Sequence, residues 1–142
     1  MSKADKNTQV GAASLALNIV LWILQVLVAA LYLWHGWLFV APPAELVEVM
    51  NAQIAPGFRM FIGVAELLAA VGLVLPGVTH ILPWLTALAA AGLMIVMGSA
   101  TILHVFRGEI GNAISAAVLF VLVTVVAYMR WKVKPISPRK RA

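Results

Sequence analysis

The stretch Gly57–Gly77, GFRMFIGVAELLAAVGLVLPG, decides how the chain is read. It is apolar enough to enter a membrane, yet Arg59 stands at its start and Glu66 in its middle. The apolar run from Arg59 to Leu75 is close to the minimum of about 17–20 residues for a membrane-crossing helix. Pro76 and Gly77 follow, and both residue types end helices. A carboxylate inside such a run needs either a proton or a partner. The segment therefore asks which other helices surround it and which group meets Glu66.

Composition answers the first question in outline. Of 142 residues, 63% are hydrophobic and 11% charged, against about 45–50% and 25% in soluble domains. One small domain cannot hide that much apolar surface, so a lipid bilayer is its expected surroundings. The absence of cysteine excludes disulfides, thiolate metal ligands, Cys-x-x-Cys redox chemistry and cysteine nucleophiles. The net charge is +5, with bases gathered at the termini: Lys3 and Lys6 first, then Arg130, Lys132, Lys134, Arg139, Lys140 and Arg141. Beside an apolar helix such a run reads as a cytoplasmic anchor near anionic headgroups. No folded reader of bases accompanies it, so nucleic acid is not an expected partner.

Apolar runs predict four spans, at about 15–40, 59–75, 83–104 and 112–128. The first is too long for a signal-peptide core. Residues 1–14 and the basic tail 131–142 flank this transmembrane domain of residues 15–130. Between the first two spans, APPAELVEVMNAQIAPG reads as a short interfacial helix or an irregular loop. The Lys and Arg bias places both termini in the cytoplasm. The expected fold is all-α: a four-helix transmembrane bundle, multi-pass in the cell membrane of a bacterium or archaeon.

Polar side chains in lipid should turn toward one another. In span one, Asn18, Gln25 and Tyr32 recur every seven residues and share a face, with His35 close to it. Asn18 and Gln25 read as interhelical hydrogen-bonding groups, and the tryptophans near span ends as interface belts. In span two, Arg59, Gly63 and Glu66 form a stripe, and Gly63 leaves room for a neighbouring helix or a ligand. Glu66 lies about 10 Å below Arg59 along the helix. Side-chain tilt leans Glu66 toward Arg59 and Arg59 toward the headgroups, so His35, His104, water or a ligand is as good a partner. The topology puts Tyr32, His35, Arg59, Glu66, Thr101, His104, Arg107, Asn112 and Ser115 in the outer half, where an outward-opening polar pocket is expected. Glu66, His104 and His35 are the candidate catalytic residues. Tyr32, Arg59, Gly63, Thr101 and Asn112 are the candidate ligand-binding residues.

At these residues the chain resembles the DoxX-like membrane proteins. FIGVAELLAAVGLVLPG is similar to their second-helix signature, with Gly63, Glu66, Gly72, Leu73 and Pro76 at the family's spacing. LWILQVLVAALYLWHGWLF resembles their first helix, and AAAGLMIVMGSATILHVFRGE their third, ending near His104. The resemblance spans about Leu17 to Arg130 and implies a compact four-helix bundle. Its name-giving relatives are subunits of a thiosulfate:quinone oxidoreductase, and others accompany oxidative-stress enzymes. IGVAELLAA and IGNAISAA also share Ile-Gly-x-Ala, which would make the second and fourth spans counterparts, with Ile114 opposite Glu66.

Two principal functions follow. In the first, the chain is a quinone-linked redox subunit. Glu66 with His35 or His104 handles protons, Tyr32 or Arg59 orients a carbonyl, and a protein partner supplies electrons, because the residues show no electron-carrying cofactor. In the second, the chain is a non-catalytic scaffold or assembly partner, alone or as a homo-oligomer, and the polar groups lock its helices. A metal or haem held by His35, His104 and Glu66 has no local motif such as His-x-x-x-His behind it, so no metal is assigned. Proton-coupled transport through Glu66 would need an oligomer or partner to complete a path.

Overall fold

The computed structural model describes residues 2–139, with the side chains of Lys3, Ala4 and Lys6 outside that description. Lys140, Arg141 and Ala142, read above as part of the basic tail, lie outside the described residues. Five α-helices follow one another: α1 Lys3–Val40, α2 Ala44–Gln53, α3 Pro56–Thr79, α4 Trp84–Phe106 and α5 Ile110–Tyr128. A π-helical turn, Met129–Val133, continues α5. No strand occurs among the described residues. Four of the helices are long and apolar enough to cross a membrane.

Prolines punctuate the chain. Pro42 and Pro43 stop α1, Pro56 opens α3 at its first turn, and Pro83 precedes α4. The segment between the first two spans forms the helix α2, which buries none of its residues. Arg107 Nη2 reaches across from the α4–α5 turn to donate to Gln53 O at 2.8 Å. Pro76 does not end the second span, contrary to the sequence reading. α3 runs through it to Thr79 and stops at His80, whose φ of 58° is left-handed. Buried helix interfaces re-satisfy carbonyls that a proline loosens. Pro76 leaves Gly72 O without its helical N–H, and on the next carbonyl Gln25 Nε2 of α1 donates to Leu73 O at 2.8 Å.

α1 packs most extensively on α3 and α4 on α5, while α3 on α4 joins the two hairpins. The core holds Val28, Tyr32, Leu73, Leu93, Val123 and Val126. Ala70, Ala87, Ala90, Ala113 and Ala116 are buried with them. Small residues let helix backbones approach closely where lipid offers no hydrophobic drive to pack. Ile23, Leu27, Leu68, Ile95 and Val118 point outward and are exposed, as suits a protein whose outer solvent is hydrocarbon. Gly111 and Ile114, the counterparts of Gly63 and Glu66 in the suggested repeat, have different surroundings. Gly111 faces open space and Ile114 is exposed.

Candidate functional site: a buried acid–imidazole pair

The site is built where α1 and α3 touch backbone to backbone. A Cβ on Gly63 would lie 2.9 Å from Gly36 O, and a Cβ on Gly36 would lie 2.8 Å from Gly63 O. Only two glycines permit so close a crossing. Their neighbours in sequence, His35 on α1 and Glu66 one turn along α3, are thereby brought together. His35 Nδ1 and Glu66 Oε2 are 2.6 Å apart. The Glu66 side chain is fully buried, whereas the His35 side chain is 42% exposed. Phe39 lies beside the imidazole, with ring centroids 4.4 Å apart.

Arg59 sits two turns before Glu66, nearer the start of α3, and is buried. The tilt argument sent its side chain into the headgroups; instead Arg59 Nη1 donates to Phe39 O on α1. The prolines explain this. In an uninterrupted helix Phe39 O would accept from the N–H of residue 43, but residue 43 is proline and has none. The guanidinium takes the vacant carbonyl and clamps the same α1–α3 contact that carries the pair. No direct Arg59–Glu66 ion pair forms among the described residues.

Tyr32 is buried in the core beside this site. Its hydroxyl, like Glu66 Oε1, is a buried atom without a hydrogen-bond partner among the described residues. The remaining sequence candidates go elsewhere. His104 Nδ1 meets Glu109 Oε2 at 2.5 Å in the α4–α5 turn, and Asn112 Nδ2 donates to the same oxygen at 3.4 Å. Thr101 Oγ1 donates back to Met97 O of its own helix. Asn112 and Ser115 are exposed. His104, Thr101 and Asn112 thus form no set with Glu66: they share its depth but belong to the other hairpin. The His104 bond, aided by Asn112 and the nearby charges of His104 and Arg107, holds the part-exposed Glu109 carboxyl below its ordinary range.

At the other end of the bundle the structure corrects the sequence reading again. Arg130, read as one charge of a basic tail, is 5% exposed. Its Nε donates to Gln25 Oε1 at 2.5 Å, and its Nη1 to Asn18 Oδ1 at 2.8 Å and Lys134 O at 3.3 Å. Its guanidinium carbon lies 5.4 Å from the centre of the Trp22 ring, within cation–π range. Lys134 Nζ donates to Ser14 Oγ, tying the tail to α1. The expectation that polar groups gather at one end gives way to two buried clusters, one at each end. The signal for Arg130 was in the sequence. It continues the buried stripe Val123, Val126, Arg130 at i, i+3 and i+7.

His35 and His104 take different carboxylates, so the His35–His104–Glu66 set considered for a metal is not assembled. No cluster of three or more His, Cys, Asp or Glu suited to a metal occurs among the described residues.

Four apolar helices packed through small residues, two of them joined by a buried carboxyl and a part-exposed imidazole, define a multi-pass four-helix membrane protein. The chain belongs to the DoxX-like family, whose sequence profile matches residues 23–127. No curated protein and no solved structure matches it.

Proposed function

We propose that this DoxX-like protein is a quinone-linked redox subunit in which Glu66 and His35 exchange protons with a quinone headgroup. The supporting observation is the 2.6 Å contact between a fully buried carboxyl and a part-exposed imidazole. The contact sets an acid–base group of α3 within hydrogen-bond reach of an imidazole nitrogen on α1, the geometry that proton exchange needs. His35 Nε2, which makes no hydrogen bond to the described residues, passes the proton outward. Quinone reduction takes two electrons and two protons. The protons travel through His35, and a partner subunit delivers the electrons. The headgroup docks against His35 and Phe39 from the lipid side. Arg59 is committed to Phe39 O and Tyr32 lies inside, so neither orients the substrate directly.

The same reading sets the orientation. Lys3 and Lys6 lie in the first turns of α1, and Lys134 and Arg130 bond Ser14 and Asn18 in the first half of the same helix, so the basic residues of both termini gather at one end. Both termini then face the cytoplasm, and the Glu66 end faces outward.

The test is a mass-spectrometric inventory of what co-purifies when wild type and Glu66→Gln are extracted with native lipid. A quinone retained by wild type and lost from the variant is expected. A protein partner held equally by both, with no quinone, would replace this reading with the scaffold one. One observation favours the scaffold: Glu66 is closed off by the Gly36–Gly63 crossing, where a structural lock would also sit.

A further inference from the structure

The Arg130 end holds a cavity of about 1050 Å³. His80, Trp84, Arg130, Trp131, Ile136 and Arg139 are among its lining residues. Its wall is the chain's C-terminal segment, strapped to the α3–α4 turn by two hydrogen bonds. His80 Nδ1 donates to Ser137 O at 2.8 Å, and Arg139 N donates to His80 O at 3.0 Å. With Nδ1 so engaged, His80 keeps Nε2 for another partner.

Arg130 is more than nine-tenths buried and cannot shed its charge. Nε and Nη1 are engaged by Gln25, Asn18 and Lys134, all through neutral oxygens. Nη2 is a buried atom with no partner among the described residues, so an anion in the cavity meets it when a neighbouring side chain gives way. No carboxylate pairs with Arg130 there. A buried cation without a counter-charge is costly, and a guanidinium with two spare N–H groups matches an oxyanion. Arg139 and His80 add cationic capacity to the same cavity.

We propose that this cavity binds a phosphate-class oxyanion, with Arg130 as the fixed charge and Arg139 as a second, outer cation. The exposed apolar rim points to the source. Ile81, Leu82, Trp84 and Trp131 flank the cavity at the end of the helices. Tryptophan and aliphatic side chains of this kind sit where headgroups meet acyl chains. The expected ligand is therefore the phosphodiester of an anionic phospholipid, held at one defined place. The inference stands apart from the quinone reading, since the two sites share no residue.

The full chain is reconstituted in phosphatidylcholine nanodiscs with a minor fraction of phosphatidylglycerol, and retained lipid is counted by native mass spectrometry. Wild type is expected to keep phosphatidylglycerol selectively. Arg130→Lys preserves the charge but loses the fork, and its affinity is expected to fall about tenfold or more, as for a lost charge-assisted bond. Arg130→Lys disturbs a buried network, so Arg139→Gln provides an exposed second variant, with a fall of severalfold expected. In parallel, inorganic phosphate is titrated into pure phosphatidylcholine discs while tryptophan fluorescence is followed. A saturable phosphate response without selective lipid retention would uphold the oxyanion site and remove the lipid as its source. Equal lipid retention by all three proteins would show only diffuse attraction to a basic surface and overturn the proposal. So would the absence of both responses.

Discussion

The two ends of the bundle bury an ionisable group in different ways. At one end Glu66 meets an imidazole that is itself part-exposed, so the buried carboxyl has a relay to the surface. At the other, Arg130 cannot lose its proton, and the chain surrounds it with amide and carbonyl oxygens and an indole face. The difference is chemical. A carboxyl paired with imidazole is a switchable site, whereas a guanidinium dressed by neutral oxygens is a permanent charge. Proton exchange belongs at the first end and a standing attraction for anions at the second.

The largest expected effect breaks the switchable end. Glu66→Gln should lower any quinone-linked turnover about 100- to 10,000-fold, the usual contribution of a positioned acid–base group, while the bundle stays folded by circular dichroism. Turnover within twofold of wild type would remove Glu66 from the chemistry.

Breaking the permanent end should cost stability instead. Arg130→Met leaves Gln25 Oε1 buried and Asn18 Oδ1 part-buried without their donor, at about 1–3 kcal/mol for the buried acceptor. Unfolding in mild detergent should shift by that order, with quinone-linked turnover of the remaining folded protein unchanged. Adding Gln25→Leu should recover part of the loss, because the stranded acceptor disappears with it.

A steric variant sharpens the comparison. Gly63→Leu places a side chain against Gly36 O and should cost about 1–3 kcal/mol by overpacking. It should also part His35 from Glu66 without touching the Arg130 cluster. Gly92→Leu is the control, since nothing lies within 4 Å of a Cβ there. Equal unfolding midpoints for the two variants would contradict the backbone contact.

The smallest effect belongs to neither buried cluster. Glu109 is a part-exposed carboxylate held below its ordinary range, first by the His104 hydrogen bond. A lowered folded value means that its contribution is present above the unfolded value and lost as pH falls through the folded one. Protection factors of amides at the start of α5, after correction for the intrinsic exchange rate, should fall on acidification through that window, and His104→Ala should blunt the change. Protection factors independent of both pH and His104 would show the bond to be idle.

Much of this architecture was legible in the sequence. Four apolar runs gave the spans, and Glu66 stood out because a carboxylate in hydrocarbon needs a partner. His35 and Gly63 were within reach as candidates. Gly36 was passed over because a glycine among tryptophans carries no polar signal; its meaning appears only when Gly63 is placed opposite. His104, Thr101 and Asn112 were joined to Glu66 by depth alone, and depth does not say which hairpin a residue faces. Arg130 was hidden among other tail charges, although its register with Val123 and Val126 set it apart. Pro76 reads as a stop in isolation, but α3 continues past it to Thr79 within the packed bundle.

The most direct test of the central claim is redox-induced infrared difference spectroscopy of the protein reconstituted with a quinone. Reduction of the quinone should change a carboxyl band in wild type that is absent in Glu66→Gln, and the change should disappear when His35 is replaced by Gln. A carboxyl signal that ignores both quinone reduction and the loss of His35 would show a fixed structural carboxyl and contradict proton exchange through the pair.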